Sequence, residues 1–258
     1  MLRVIGHRGA RTLAVENSLQ ALKAAVDAGA DGVEIDVQLS ADGEPVVFHD
    51  DDLLRLCGAP GLLWQHPWRQ LRDVRMAELG LQPQPIAHLD NVLEWWLSAG
   101  VLINVELKVA AGLPPKQMRQ LVQVVARRLR EMPAPQLVVS SFSRPALEEF
   151  ADLAPHVRCA ALIEPAPPCD FWPLTQEPLQ VAGPVAQLHP HHSLLDQPWL
   201  KEVAQRQWPV WAWTANRPAQ WEQQLPLAQA GLLHGLISDH PQELRAFIER
   251  HAPEMRAD

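Results

Sequence analysis

Eight short apolar runs, separated by helical patterns, restrict the fold of this chain more than any other feature. They begin at "LRVIG", "GVEIDVQL", "VLINVELK", "QLVVSSF", "VRCAALI", "PVAQLH", "PVWAWT" and "HGLISD". In "ENSLQALKAAVDAGA", Leu19, Leu22, Ala25 and Val26 recur at helical spacing, and the pattern ends near Gly29. "PPKQMRQLVQVVARRLREM" has Pro114 and Pro115 near its start and basic residues in its last turn, both helix-boundary signals. "RPALEEFADLA", "PWLKEVAQRQ", "RPAQWEQQLPLAQAG" and "HPQELRAFIERH" supply further helices. Pro226 should interrupt or end the third of these. Strands that alternate with helices predict a parallel sheet. Eight of them predict an α/β fold closed as a (β/α)8 barrel rather than an open sheet. The 258 residues suit that fold, because such barrels commonly fill about 200–250 residues as one domain.

No linker divides the chain and no short-period repeat is visible, so residues 1–258 are expected to form a single domain. One stretch breaks the rhythm. Residues 51–85, "DDLLRLCGAPGLLWQHPWRQLRDVRMAELGLQPQP", are rich in Pro, Gly and Trp where a single helix is due. They read as a small insertion after the second strand, lying over one end of the barrel. The loops "EPAPPCDFWPLTQEP" and "HPHHSLLDQP" are expected at the same mouth, with His189, His191 and His192 in a solvated loop.

The formal net charge of −8 argues against general nucleic-acid binding, which needs a basic surface. It leaves room for an anionic substrate held by a few local cations. Cys57, Cys159 and Cys169 form no close metal motif, and an odd, sparse set fits reduced thiols. "MLRVIGHRGA" turns polar too early for a signal peptide, and no apolar run approaches the roughly 18 residues of a membrane span. The expectation is a cytoplasmic protein without a membrane anchor. Oligomeric state is not legible.

The second run sets the chemical question. Read as a strand, it puts Glu34, Asp36 and Gln38 on one face and Val33, Ile35, Val37 and Leu39 on the other. "INVELK" repeats the arrangement, with Asn104, Glu106 and Lys108 on one face. The first strand runs into Gly6, His7, Arg8 and Gly9. In a barrel these side chains gather at the C-terminal ends of the strands, where active sites lie. Three carboxylates crowded in a dry site cannot all ionise without compensation. A hard divalent cation such as Mg²⁺ or Ca²⁺ removes the difficulty. Arg8 and Lys108 would then add the positive charge that a phosphate ester needs. His7 and His49 have the right ordinary pKa to exchange protons.

Each residue also has a plainer reading. Glu34 and Asp36 could pair with arginines in a structural network, a reading that the matching "NVELK" weakens. His7 and His49 could be structural, Lys108 a solvated strand-end residue, and Glu16 a helix-start carboxylate.

The ordered set of motifs resembles the glycerophosphodiester phosphodiesterase family, particularly its small bacterial cytoplasmic members. It comprises "HRG" at 7–9, "EN" at 16–17, "GADGVEIDVQLSADGEPVVFHD" at 29–50, "NVELK" at 104–108, "SSF" at 140–142, "WTAN" at 213–216 and "GLISDHP" at 235–241. The resemblance implies a (β/α)8 barrel with a small insertion after the second strand. It implies one divalent cation, Mg²⁺ or Ca²⁺, held by Glu34, Asp36 and Glu106. His7 and His49 would be the acid–base pair, with Arg8 and Lys108 on the phosphate and Trp213 on the substrate side of the pocket. Glu16, Asn17 and Asp50 would be supporting residues. Val15 and Ser18 stand where the family often has proline and threonine, mild changes at a helix start.

The implied activity is hydrolysis of a glycerophosphodiester, such as glycerophosphocholine or glycerophosphoethanolamine, to sn-glycerol 3-phosphate and an alcohol. Two rivals share the site: a lysophospholipase D-type activity, with "GLLWQHPW" supplying apolar surface, and a non-catalytic phosphodiester-binding protein. Metal-assisted enolisation on a barrel also uses clustered carboxylates and a lysine, but two histidines beside an arginine fit phosphoryl chemistry better.

Overall fold

The structure is a computed structural model that describes residues 1–110, 113–165, 185–195 and 198–255. The segment "APPCDFWPLTQEP", which includes Cys169, lies outside the described residues, as do Asp196 and Gln197.

Eight strands form the frame: β1 (Arg3–Gly6), β2 (Gly32–Leu39), β3 (Leu102–Leu107), β4 (Leu137–Ser141), β5 (Arg158–Ile163), β6 (Val185–Pro190), β7 (Trp211–Ala212) and β8 (Gly235–Ser238). Their order is β6-β5-β4-β3-β2-β1-β8-β7, with each neighbouring pair parallel. Two isolated parallel bridges, Leu188 to Val210 and His191 to Trp213, close the seam between β6 and β7. The expected barrel is therefore observed.

The described helices of the outer ring are α1 (Leu19–Asp27), α2 (Leu89–Ala99), α3 (Pro115–Leu129), α4 (Arg144–Leu153), α5 (Trp199–Gln205), α6 (Pro218–Gln229) and α7 (Pro241–His251). Ser18 caps α1, its hydroxyl accepting from the Ala21 amide at 3.1 Å, a bond that threonine would also make. The expectation for Pro226 needs correction: α6 runs through it to Gln229. Pro226 removes the amide that would bond to the Glu222 carbonyl, but both residues are exposed, so water can serve that carbonyl instead.

Alternation along the strands separates two apolar layers. Val33, Ile35 and Val37 of β2, with Ile103, Val105 and Leu107 of β3, pack outward against helix residues such as Leu22, Trp96 and Val125. Inside the barrel, Ile5, Val138, Ala160, Trp211 and Ile237 form an apolar floor, with Leu102 against it. Above Leu102 the inner face of β3 continues through Asn104 and Glu106 to Lys108. The barrel thus changes from apolar to charged toward the C-terminal ends of its strands.

The insertion follows a short strand, Pro45–Val47, that pairs antiparallel with β2. Residues 51–85 contain the short helices Leu54–Cys57 and Trp68–Leu71 and a two-residue ladder. They build a satellite core in which Leu53, Leu56, Leu63, Leu71 and Met76 pack on Val15, Val46 and Phe48.

Candidate active site

The loop after β1 is bent to face β2. Arg8 and Asn17 both have left-handed backbones, φ 56° and 57°, which side chains seldom adopt outside over-determined sites. Here the surroundings do determine them. The Arg8 amide donates to Glu34 Oε2 at 2.9 Å, and the Asn17 amide donates to the Arg8 carbonyl at 2.9 Å. The side chain of Asn17 then holds Asp36 from both sides: Nδ2 donates to Asp36 Oδ2 at 2.9 Å, and Oδ1 accepts from the Asp36 amide at 3.2 Å. Gly9 follows at φ 85°, and a Cβ there would lie 2.5 Å from the Ala21 backbone. Only glycine lets the loop lie this close to α1.

Register places Glu34 opposite Asn104 and Asp36 opposite Glu106. Oxygens of Glu34, Asp36 and Glu106 all lie within 4.8 Å of one another, and all three side chains are buried. Burial, and then the charges of Asp36 and Glu106, push the Glu34 carboxyl well above its ordinary range. Burial also dominates at Glu106, which rises to about 7 despite Lys108. Burial opposes ionisation of Asp36 too, but Arg8, Lys108, His49 and Asn17 together hold it well below its ordinary value. Arg8 Nε lies 3.2 Å from Asp36, and Lys108 Nζ lies 3.1 Å from Glu106 and 3.7 Å from Asp36. Glu34 Oε1 is buried with no hydrogen-bond partner among the described residues. An oxygen-only trio with one orphaned atom and an unmet charge fits a hard divalent cation.

Two histidines line the same cavity as the trio, together with Arg8, Lys108, Phe142 and Trp213. His7 Nδ1 lies 2.7 Å from Asp239 Oδ1, and His49 Nδ1 lies 2.7 Å from Asp50 Oδ1. A carboxylate at Nδ1 selects the tautomer protonated there and leaves Nε2 to exchange protons. Burial lowers the pKa of both imidazoles below 6.5, and their carboxylate partners pull back upward. Trp213 is fixed by its indole N–H, which donates to the His189 carbonyl at 2.7 Å, and by edge contact with Phe142.

Asn216, Asp239 and Gln38, to which the motifs gave no role, complete the site together with the expected support Glu16. Asn216 donates from Nδ2 to Asp239 Oδ2 at 2.7 Å and accepts from the Asp239 amide at 2.9 Å. Gln38 Nε2 donates to the carbonyls of Phe48, His49 and Asp50 and so fixes the turn that carries His49. Glu16 is fully buried beneath three guanidiniums, those of Arg8, Arg11 and Arg55. Asp239 and Asn216 lie within the quoted "GLISDHP" and "WTAN", and Gln38 shares the face of Glu34 and Asp36, so each had a signal. The histidine loop needs correction: His189 is wholly buried, its ring stacked on Trp211, because it continues the inner face of β6.

Residues 7–243 match the sequence profile of the glycerophosphoryl diester phosphodiesterase family. The chain belongs to the glycerophosphoryl diester phosphodiesterase family. A glycerophosphodiester phosphodiesterase of Caldanaerobacter subterraneus is 27% identical over 96% of this chain and 98% of its own. The structure of an Oleispira antarctica phosphodiesterase in complex with the product sn-glycerol-3-phosphate superposes with a TM-score of 0.76. It is 30% identical and covers 96% of each chain. A glycerophosphodiester phosphodiesterase of Thermotoga maritima shares the fold at a TM-score of 0.75, with 24% identity over 95% of this chain and 98% of its own. Family membership makes the chain a phosphodiesterase, with the acidic trio as its candidate metal centre. Among the described residues, no helix is long and apolar enough to cross a membrane.

Proposed function

We propose that this protein hydrolyses glycerophosphodiesters, such as glycerophosphocholine and glycerophosphoethanolamine, to sn-glycerol 3-phosphate and an alcohol. The observation that carries the reading is the pair of carboxylate-fixed histidines lining one cavity with the acidic trio. Glu34, Asp36 and Glu106 would hold one Mg²⁺ or Ca²⁺, which would supply polarisation of a phosphate oxygen. Arg8 and Lys108 orient the phosphate. One histidine takes the proton of the attacking hydroxyl through Nε2, and a new O–P bond forms. The other gives a proton to the leaving alkoxide as its P–O bond breaks. The attacking hydroxyl is that of water, or the glycerol 2-hydroxyl followed by water. Trp213 packs against the substrate. Asp50, Glu16 and Asn17 hold His49, Arg8 and Asp36 in place. A cytoplasmic location is a separate proposal, supported by the sparse, odd set of cysteines, and cell fractionation should find the protein with soluble markers.

The test is release of sn-glycerol 3-phosphate from glycerophosphocholine, with EDTA and then with Mg²⁺ or Ca²⁺ restored. Release that is lost to EDTA and regained with either ion is expected. No release with any metal, from folded protein also given the ethanolamine and glycerol diesters, would overturn the reading. Exposed Leu54 and Leu79 on the insertion favour a second reading, lysophospholipase D-type activity. Against it, Leu63 of "GLLWQHPW" is buried in the satellite core and Trp68 packs on that core. Faster turnover of a long-chain lysophospholipid than of glycerophosphocholine would reverse the order of the two.

A further inference from the structure

Arg55 sits in the insertion, outside every motif discussed above, yet it touches the supports of two active-site groups at once. Glu16, His49 and Asp50 bring ligand atoms within 4.8 Å of one another, a spacing that could gather around a metal ion. The Arg55 guanidinium spans that cluster's two carboxylates. Nη2 lies 2.7 Å from Glu16 Oε1 and 2.9 Å from Asp50 Oδ1. Nη1 lies 3.1 Å from Glu16 Oε2, and Nε lies 2.6 Å from Asp50 Oδ2. Every carboxylate oxygen of the cluster is therefore engaged by one planar group.

Both carboxylates face active-site side chains from the same atoms. Asp50 Oδ1, which accepts from Arg55, is the oxygen 2.7 Å from His49 Nδ1. Glu16 Oε1, which also accepts from Arg55, is the oxygen that accepts from Arg8 Nη1 at 2.8 Å. We infer that Arg55 is a positioning residue, a built-in cation that locks the orientation of His49 and Arg8 to each other through Asp50 and Glu16. This rests on the roles proposed above for His49 and Arg8. Lysine could not replace it, because a point charge cannot pair with both oxygens of two carboxylates at once.

A role in folding alone is a poor account of these contacts. Leu53 and Leu56, on the same turn, already anchor the insertion in the satellite core. The Arg55 side chain is 42% exposed, so truncation leaves no internal cavity. Glu16 would keep Arg8 and Arg11 as partners.

The test compares wild type, H49A, R55A and R55K on glycerophosphocholine, with melting curves for each. Expected are a loss of at least tenfold in kcat for both R55A and R55K, and a melting midpoint near that of wild type. Guanidinium ion at non-denaturing concentration should restore R55A, while methylammonium or sodium at equal ionic strength should not. A kcat within twofold of wild type in either variant would overturn the inference. So would a folded R55A that guanidinium fails to restore, or that any salt restores equally. If R55A fails to fold, R55K decides by its kcat alone. H49A separates the two levels. Wild-type turnover in H49A sinks the acid–base reading and this inference with it, whereas an inactive H49A beside a fully active R55A sinks only the role of Arg55.

Discussion

The two histidine–carboxylate pairs have the same 2.7 Å contact but are built by different parts of the molecule. His7 follows β1 and meets Asp239, 232 residues away, at the end of the neighbouring strand β8. Asn216, from the loop after β7, locks that carboxylate in place. Closure of the barrel makes this pair. His49 and Asp50 are chain neighbours, and their geometry is set by Gln38 beneath and Arg55 from the insertion above. The first pair is the more enclosed: the His7 side chain is 15% exposed and that of His49 31%. Barrel closure and a turn braced by the insertion thus bring matching histidine–carboxylate pairs to one cavity, with different protection from solvent.

If the pairs are equivalent in chemistry, H7A and H49A should each lose about 10²–10⁴-fold in kcat while retaining the barrel by circular dichroism. Near-normal turnover in one of them would break the equivalence. The difference in enclosure should appear one step back. D239N is expected to lose about 10- to 100-fold, and D50N less, because water better makes up for the lost charge at the more open His49. A larger loss in D50N would reverse that ranking.

The pH profiles sharpen the comparison. Burial lowers both imidazole pKa values, and each carboxylate partner raises its own histidine's. Removing the carboxylate's charge therefore lowers that histidine's pKa, and the limb of the kcat/KM profile that belongs to it moves toward acid. D239N should move one limb and D50N the other. If both variants moved the same limb, the assignment of opposite roles would fail.

The smallest effect concerns a third histidine. His189 is fully buried without a carboxylate partner among the described residues, and desolvation pushes its pKa down to about 3. Above the unfolded value of 6.5 it is neutral in both states and carries no penalty. As pH falls below that value the unfolded chain takes up a proton that the folded chain refuses. Stability is lost at about 1.4 kcal/mol per pH unit until the folded pKa is reached. Urea melts at pH 6, 5 and 4 should show a flatter decline for H189Q than for wild type. Parallel declines would show that His189 does not set this slope.

Much of the frame was legible because it depends on local periodicity. Alternation in "GVEIDVQL" and "INVELK" placed Glu34, Asp36, Glu106 and Lys108 on inner faces before any strand was paired. The same method misread His189, since a histidine-rich run carries no mark of whether it continues a strand or leaves it. It also misread Pro226, because proline's cost depends on whether water reaches the carbonyl it strands. Arg55 lay in a segment with neither period.

By itself the sequence determined the alternating strands and helices, the inward carboxylates and the glycine at the turn after His7, because each follows from the geometry of a few consecutive residues. Only the tertiary structure decided that Asp239 supports His7, that Asn216 locks Asp239, and that Arg55 bridges Asp50 and Glu16. Except for Arg55 and Asp50, five residues apart on one turn, those contacts join residues distant in the chain, and their distances are set by barrel closure and by the packing of the insertion on its own small core.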